Sequence, residues 1–343
     1  MEITVILFKT ILLFVIFLIT LLIAMYSTWA ERKIAAYIQD RCGPNRAGYF
    51  GLLQPLADGI KMFMKEEIIP LSANRTLFIL GPCIAMTTAC LAGAVIPWGG
   101  VISIGGSTFS LQITDLNVGV LYIFAMVSIG VYGIMIGGWA SNNKYSLLGA
   151  IRAASQMISY ELAMALAIVA LIITTGSLSL HEIVEQQSGW HWNIFYQPLG
   201  SIIFLICVFA ECNRSPFDLP ECETELIGGY HTEYSSMKLG FYLFAEYINM
   251  FISSAVIATL YFGGYNMPFI ENTGWSVNLI TILGVLFLFI KIFCIMFLFM
   301  WVRWTLPRFR YDQLMNLGWK ILVPVSIFNV FITALIILLS DYI

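Results

Sequence analysis

The densest run of potentially reactive side chains lies between Glu211 and Glu233. Six carboxylates (Glu211, Asp218, Glu221, Glu223, Glu225 and Glu233) accompany a single base there, Arg214. Solvated acidic loops are common, but Pro216 and Pro220 interrupt this one and apolar residues flank it. Crowded, partly desolvated carboxylates raise one another's pKa, because each added negative charge in a low dielectric costs energy. Such a group can hold and release protons near neutral pH. Further ionisable residues sit inside long apolar stretches: Glu161, Glu246 and Lys291. At 100° per residue Tyr242, Glu246, Asn249 and Ser253 share one stripe of a helix. Arg152, nine residues before Glu161, falls on the opposite side of its helix, so a partner for Glu161 must come from elsewhere. Lys291 is the natural counter-charge. A proton or ion path through these groups and a purely structural link between helices both fit the pattern.

A second polar segment spans residues 26–75. Within it, Asp58, Lys61 and Lys65 fall within about 60° of one another on a helical wheel, with Leu56, Ile60 and Phe63 facing away. That pattern suits an interfacial helix on lipid headgroups. Gly43, Pro44, Gly48, Gly51 and Pro55 instead suggest backbone turned tightly against protein.

These groups must be positioned by membrane helices. Charged residues make up only 11% of the 343 positions and the mean hydropathy is +0.86, far from the roughly 25% charge of a soluble domain. Eight apolar stretches are long enough, or nearly so, to cross a core about 30 Å thick: 5–25, 76–98, 118–138, 148–176, 194–211, 238–262, 278–302 and 320–340. The fifth is the shortest and contains Pro198. The expected fold is an all-α polytopic bundle, one membrane domain over 1–343. The first stretch, Val5–Met25, reads as a span rather than a cleaved signal, since no basic start or small-residue cleavage pattern accompanies it. Loops after the odd-numbered spans, 26–75, 139–159, 211–239 and 303–320, hold fifteen of the seventeen Lys and Arg, counting Lys320; loops after even-numbered spans hold none. The positive-inside rule places the odd loops in the cytoplasm and both termini outside. On the outer side, Val101–Ile104 and Thr108–Ile113 read as a hairpin, Ser179-x-x-Glu182 as a capping box, and Trp98, Trp190, Trp192 and Trp275 as an interfacial belt. A net charge of −3 gives no reason to expect a nucleic-acid partner. No Cys pair has metal-ribbon spacing, and no metal site is expected.

Several strings are long and of low degeneracy. They are Ala30-Glu31-Arg32-Lys33, Gln39-x-Arg41-x-Gly43-Pro44-Asn45, and Gly51-Leu52-Leu53-Gln54-Pro55-Leu56-Ala57-Asp58-Gly59. Further along come Ile151–Leu162, Ala210–Glu221, Thr232-Glu233-Tyr234-Ser235 with Ala245-Glu246-Tyr247, and Trp301–Asp312. In this order, from about residue 26 to 325, the chain resembles the H-subunit (subunit 1) family of respiratory NADH–quinone oxidoreductase, complex I. Ala47-Gly48-Tyr49, Cys222 and His231 depart from the family's usual residues without removing a charged position.

The resemblance implies a quinone-tunnel and proton-path component that anchors the peripheral electron-transfer arm. Arg32, Arg41, Asp58, Lys61, Phe244 and Arg303 would line or shape the tunnel. Glu161, Glu211, Asp218, Glu221, Glu223, Glu225, Glu233 and Glu246 would form the acidic path. Quinone is the implied substrate. The chain carries no flavin, Fe–S or nicotinamide motif, so NAD, FMN and Fe–S clusters are expected on partner subunits, and no catalytic residue is assigned to this chain alone. The implied partners are the other complex I subunits and membrane lipids. The implied location is a bacterial inner membrane, or the mitochondrial one if the chain is organellar. Two other classes stay open: the membrane anchor of a related hydrogenase or formate hydrogenlyase, and a stand-alone secondary transporter.

Overall fold

A computed structural model describes residues 2–104, 107–218, 227–268 and 275–342. Four of its helices set the frame of the site. They are α1 (Glu2–Ile38), the amphipathic α2 (Gln54–Met64), α3 (Arg75–Ala92) and α4 (Gly119–Ala140). The hairpin β1 (Val101–Ile104) and β2 (Ser107–Ser110) joins α3 to α4. Helices α5 (Lys144–Thr175), α6 (Leu180–Gln186), α7 (Asn193–Tyr196) and α8 (Pro198–Glu211) follow. The chain closes with α9 (Ser236–Tyr261), α10 (Val277–Thr305), α11 (Tyr311–Asn316), a π-helical turn at Leu317–Leu322, and α12 (Val323–Tyr342).

Seven helical segments among the described residues are long and apolar enough to cross a membrane. The eighth expected span, α8, has only 14 residues. At 1.5 Å per residue it covers about 21 Å. Pro198 starts it, and the separate turn α7 supplies the rest of the expected 194–211 stretch. The chain is an all-α polytopic membrane protein. Its most enclosed rod is α9, in which 72% of the most apolar stretch is buried, against 6% for α1.

Contacts between distant segments show that the two ends of the bundle differ. At one end Lys9 Nζ lies against Gln112 O and donates to Ser110 Oγ at 3.1 Å, while Asn278 Nδ2 donates to Ser103 O at 3.0 Å. At the other, Asn74 N donates to Ala140 O, Asn142 Nδ2 to Ser72 O, Ser146 Oγ to Tyr230 O, and Phe309 N to Pro216 O. The segments after the odd-numbered spans therefore meet on one face. This is the face that carries the positive charge.

Several expectations change in three dimensions. Helix α1 continues to Ile38, a length of about 56 Å that overshoots the hydrocarbon core. Glu31, Arg32 and Lys33 are thus helical rather than part of a loop beginning at residue 26. Most of 139–159 is helix too, because α4 ends at Ala140 and Asn143 caps α5 by accepting from Tyr145 N at 2.9 Å. The second hairpin strand stops at Ser110. Ser179 precedes α6 without a side-chain cap bond; its hydroxyl donates to Asp115 Oδ1 at 3.4 Å. Trp98 is only 5% exposed and stacks on Phe251, so it is core rather than belt, whereas Trp190 and Trp275 are exposed.

Lys291 does not serve as counter-charge to the acids. Its ammonium donates to the carbonyls of Phe262 (2.6 Å), Gly264 (2.7 Å) and Asn266 (3.2 Å), capping the C-terminal end of α9. Phe262 and Gly264 follow directly on the helix, where unpaired carbonyls gather partial negative charge. Replacing Lys291 with Met removes the donor from three carbonyls. The expected loss is about 1–3 kcal/mol of stability, read as a lower melting temperature of the detergent-solubilised protein.

Candidate functional site

The last turns of α1 carry Glu31 into the bundle. Its Oε2 accepts from Arg214 at 3.1 Å and from the Tyr247 hydroxyl at 2.8 Å, while Oε1 pairs with Arg303 at the end of α10. The Arg214 guanidinium also lies over the Tyr247 ring, 4.2 Å from its centroid. Glu31 and Arg214 are both buried, at 5% and 4% exposure. The cluster thus fixes two guanidinium groups around one acid. Beside it, between α1 and α10, runs an apolar groove of about 570 Å³, lined by Ser27, Ala30, Ile34, Met296, Phe297 and Met300 among others. The groove is open at the outer wall of the bundle and ends one turn from Arg303. It can admit a long apolar molecule and present its polar end to fixed charged donors.

About 100° round α1, Arg32 donates to Asp58 Oδ2 at 2.7 Å, and Lys61 lies 3.6 Å from Asp58 Oδ1. Glu31 and Arg32 are sequence neighbours facing different partners. The tight approach of loop backbone at Gly51 fixes where α2 begins: a Cβ there would lie 2.2 Å from Pro44 O, and φ is +78°. Arg41 stays apart from this set, exposed and donating to Gln39 Oε1 at 2.7 Å. Phe244 is half-buried in α9 and does not line the groove.

A second, smaller cavity of about 60 Å³ lies among α3, α4, α5, α8 and α9. That volume holds a few waters. Its polar lining is Glu211, Cys212, Tyr230, Glu246, Asn249 and Ser253. The predicted stripe on α9 thus faces the cavity. Tyr230 donates to Glu246 Oε1 at 3.1 Å, whereas Glu211 Oε1 has no hydrogen-bond partner among the described residues. Glu161, half-buried on α5, accepts from Ser128 at 3.1 Å. Glu211 and Glu246 therefore line one cavity, while Glu161, on α5, is not among its lining residues.

The other acids have different surroundings. Glu233 accepts from Asn143 Nδ2 at 2.6 Å, and Asp218 accepts from Arg308 at 2.6 Å. Glu221, Glu223 and Glu225 lie outside the described residues. Nearby, burial pushes the Tyr234 phenol up to about 12, so it remains a neutral donor to the carbonyls of Phe78 and Gly137.

A family model described as NADH dehydrogenase matches residues 10–334. An NADH-quinone oxidoreductase H subunit of Cytophaga hutchinsonii, numbered 1 in that organism, is 72% identical over 331 residues, 96% of this chain and 97% of that protein. The H subunit of the same oxidoreductase in Flavobacterium johnsoniae is 62% identical over 345 residues, covering 99% and 98%. A second such H subunit of Geobacter metallireducens is 49% identical over 335 residues, covering 94% and 93%. The chain belongs to the NADH dehydrogenase family, in its H-subunit branch.

As a family member it is one membrane component of an enzyme complex, not catalytic alone. Two residues that organise this family member's site, Glu31 and Arg214, carry no role in the sequence reading. The available signals are an acid embedded at the end of an apolar helix and a lone base among acids. Sequence does not say that the two meet across 183 positions.

Glu31→Gln removes the carboxylate that faces the buried Arg214 and the half-buried Arg303. Breaking a buried pair this way costs about 3–5 kcal/mol, while Asp58→Asn, at a more exposed pair, costs under about 1 kcal/mol. Thermal denaturation of the solubilised complex should show the large shift only for Glu31→Gln.

Proposed function

We propose that this chain houses the quinone passage and the first part of the proton path of a proton-pumping NADH–quinone oxidoreductase. In this reading a quinone enters from the bilayer along the groove between α1 and α10. Its headgroup passes the Glu31–Arg214–Arg303 cluster toward an Fe–S cluster on a neighbouring chain of the complex. NAD, FMN and the Fe–S centres belong to partners in the peripheral arm. Arg32, Asp58 and Lys61 shape the mouth beside α2, and Arg303 the inner wall. Arg41 and Phe244 take part through surfaces this chain does not complete alone.

The observation that carries the proposal is the sequence of environments: an open apolar groove, then a cluster holding two guanidinium groups, then a small cavity bearing Glu211 and Glu246. Quinone reduction consumes two protons and changes the charge near the cluster. Carboxylates packed beside it respond through coupled titration, and Glu161 leads outward from them toward the partner membrane subunits. Asp218 and Glu233, with Glu221, Glu223 and Glu225, supply the acidic approach on the face of the odd-numbered loops. The charge bias of those loops and the bacterial relatives support a bacterial inner membrane with this face cytoplasmic. The similarity to proteins named as NADH-quinone oxidoreductase subunits favours this reading over a hydrogenase anchor or a stand-alone transporter.

Two measurements on the assembled complex in membrane vesicles test it. Glu246→Gln and Glu211→Gln should lower proton pumping more than NADH oxidation; wild-type pumping and reductase in both would end the proton-path role. Ala30→Phe narrows the groove, and overpacking of this kind should raise the KM for a long-tailed quinone about tenfold or more. An unchanged KM would remove the groove from the quinone route.

A further inference from the structure

Glu246 belongs to a contiguous row of side chains that begins far away, at the end of α2. Glu67, three residues beyond α2, pairs with the buried Lys238 at the start of α9. The Lys238 ammonium lies over the Phe78 ring of α3, 5.4 Å from its centroid. Phe78 stacks on Tyr234 at 4.0 Å and 8°. Tyr234 meets Tyr242 edge-on at 5.1 Å, and Tyr242 meets Tyr230 edge-on at 5.0 Å. The Tyr230 hydroxyl then donates to Glu246 Oε1 at 3.1 Å.

Little slack exists in this row. Tyr242 donates to Gly133 O at 3.0 Å and Tyr234 to Phe78 O at 3.1 Å, and both hydroxyls occupy space that a side chain at position 137 would fill. A Cβ at Gly137 would lie 1.9 Å from the Tyr242 oxygen. The start of the row is tied once more to α2 and once to the segment after it: Ser236 Oγ donates to Met62 O at 3.1 Å, and Ile68 N donates to Ser235 Oγ at 3.0 Å. Helix α2 carries Asp58 and Lys61 of the proposed quinone mouth, so the row joins the two halves of the site by packing rather than by sequence.

We infer that Lys238 is a positioning residue that couples the placement of α2 to Glu246 through the Phe78–Tyr234–Tyr242–Tyr230 stack. The inference rests on the proton-path reading of Glu246. Chains of packed side chains and ion pairs with two discrete arrangements can carry energetic coupling between two sites. Breaking the row therefore loosens the link between quinone turnover and proton movement, which the ratio of the two rates reads.

The test is the ratio of proton pumping to NADH oxidation in vesicles bearing the assembled complex. A merely structural defect lowers both rates together and leaves the ratio alone. Lys238→Met and Tyr234→Leu should each lower the ratio at least about twofold, the low end of what changes along a connected network produce. Lys238→Arg and Tyr234→Phe, which keep the charge and the ring, should retain it. The double variant Lys238→Met/Tyr234→Leu should be no worse than the more affected single one, since both break one row. Should Lys238→Met fail to assemble, Glu67→Gln and Tyr234→Leu carry the same expectation with Lys238 in place. A wild-type ratio in either overturns the inference. A wild-type ratio in Glu246→Gln would instead overturn the proton-path reading itself, which keeps the two failures distinct.

Discussion

Glu31 sits where four parts of the chain converge: the end of α1, the turn after α8, the first half of α9 and the end of α10. An ionised carboxylate in protein interior is tolerated only when its charge and lone pairs are matched, and here Arg214, Arg303 and Tyr247 match both oxygens. The attraction works in both directions. The acid draws both arginines inward, so the cluster fixes how α1 and α10 close beside the groove. The groove exists because these two helices are held together at the charged end while small residues, Ser27 and Ala30, line its wall.

From that joint the polar interior divides. On one side lies the apolar groove between α1 and α10, with Asp58 and its basic partners on another face of α1. On the other lies the small cavity with Glu211 and Glu246, walled by apolar side chains that keep the local dielectric low. Low dielectric makes the acids sensitive to any nearby change of charge. It also explains why the tyrosines around them make hydrogen bonds to helix carbonyls: a buried phenol without a partner would be costly. Lys291, although ionisable and within a span, belongs to a different task. It closes the carbonyl end of α9, the rod that carries the polar stripe of Tyr242, Glu246, Asn249 and Ser253.

Helix α9 binds these features together because nearly every face of it meets protein. Its first turn is tethered to α2, its next turns carry Tyr242 and Glu246, and its last turn is capped by Lys291. A helix exposed to lipid on one side can adjust by rotation. One enclosed on all sides moves only with its neighbours, which suits a residue such as Glu246 to reporting events elsewhere.

Taken alone, the sequence determined the class of the molecule, the grouping of its basic loops, the amphipathic face of α2 and the shared stripe of Tyr242, Glu246, Asn249 and Ser253. These are one-dimensional properties: hydropathy over a span's length, charge counts per loop, and the 100° step of a helix all survive translation into sequence. Its long motifs also placed it in a family. What only the tertiary structure decided was which charge meets which. Glu31 finds Arg214 across 183 positions, Lys291 turns to backbone carbonyls rather than to an acid, Arg41 stands aside from Asp58, and Trp98 is core. Pairing in a membrane bundle depends on where distant helices come to lie. Many arrangements satisfy the same hydropathy pattern, and only the packing of the whole bundle chooses among them.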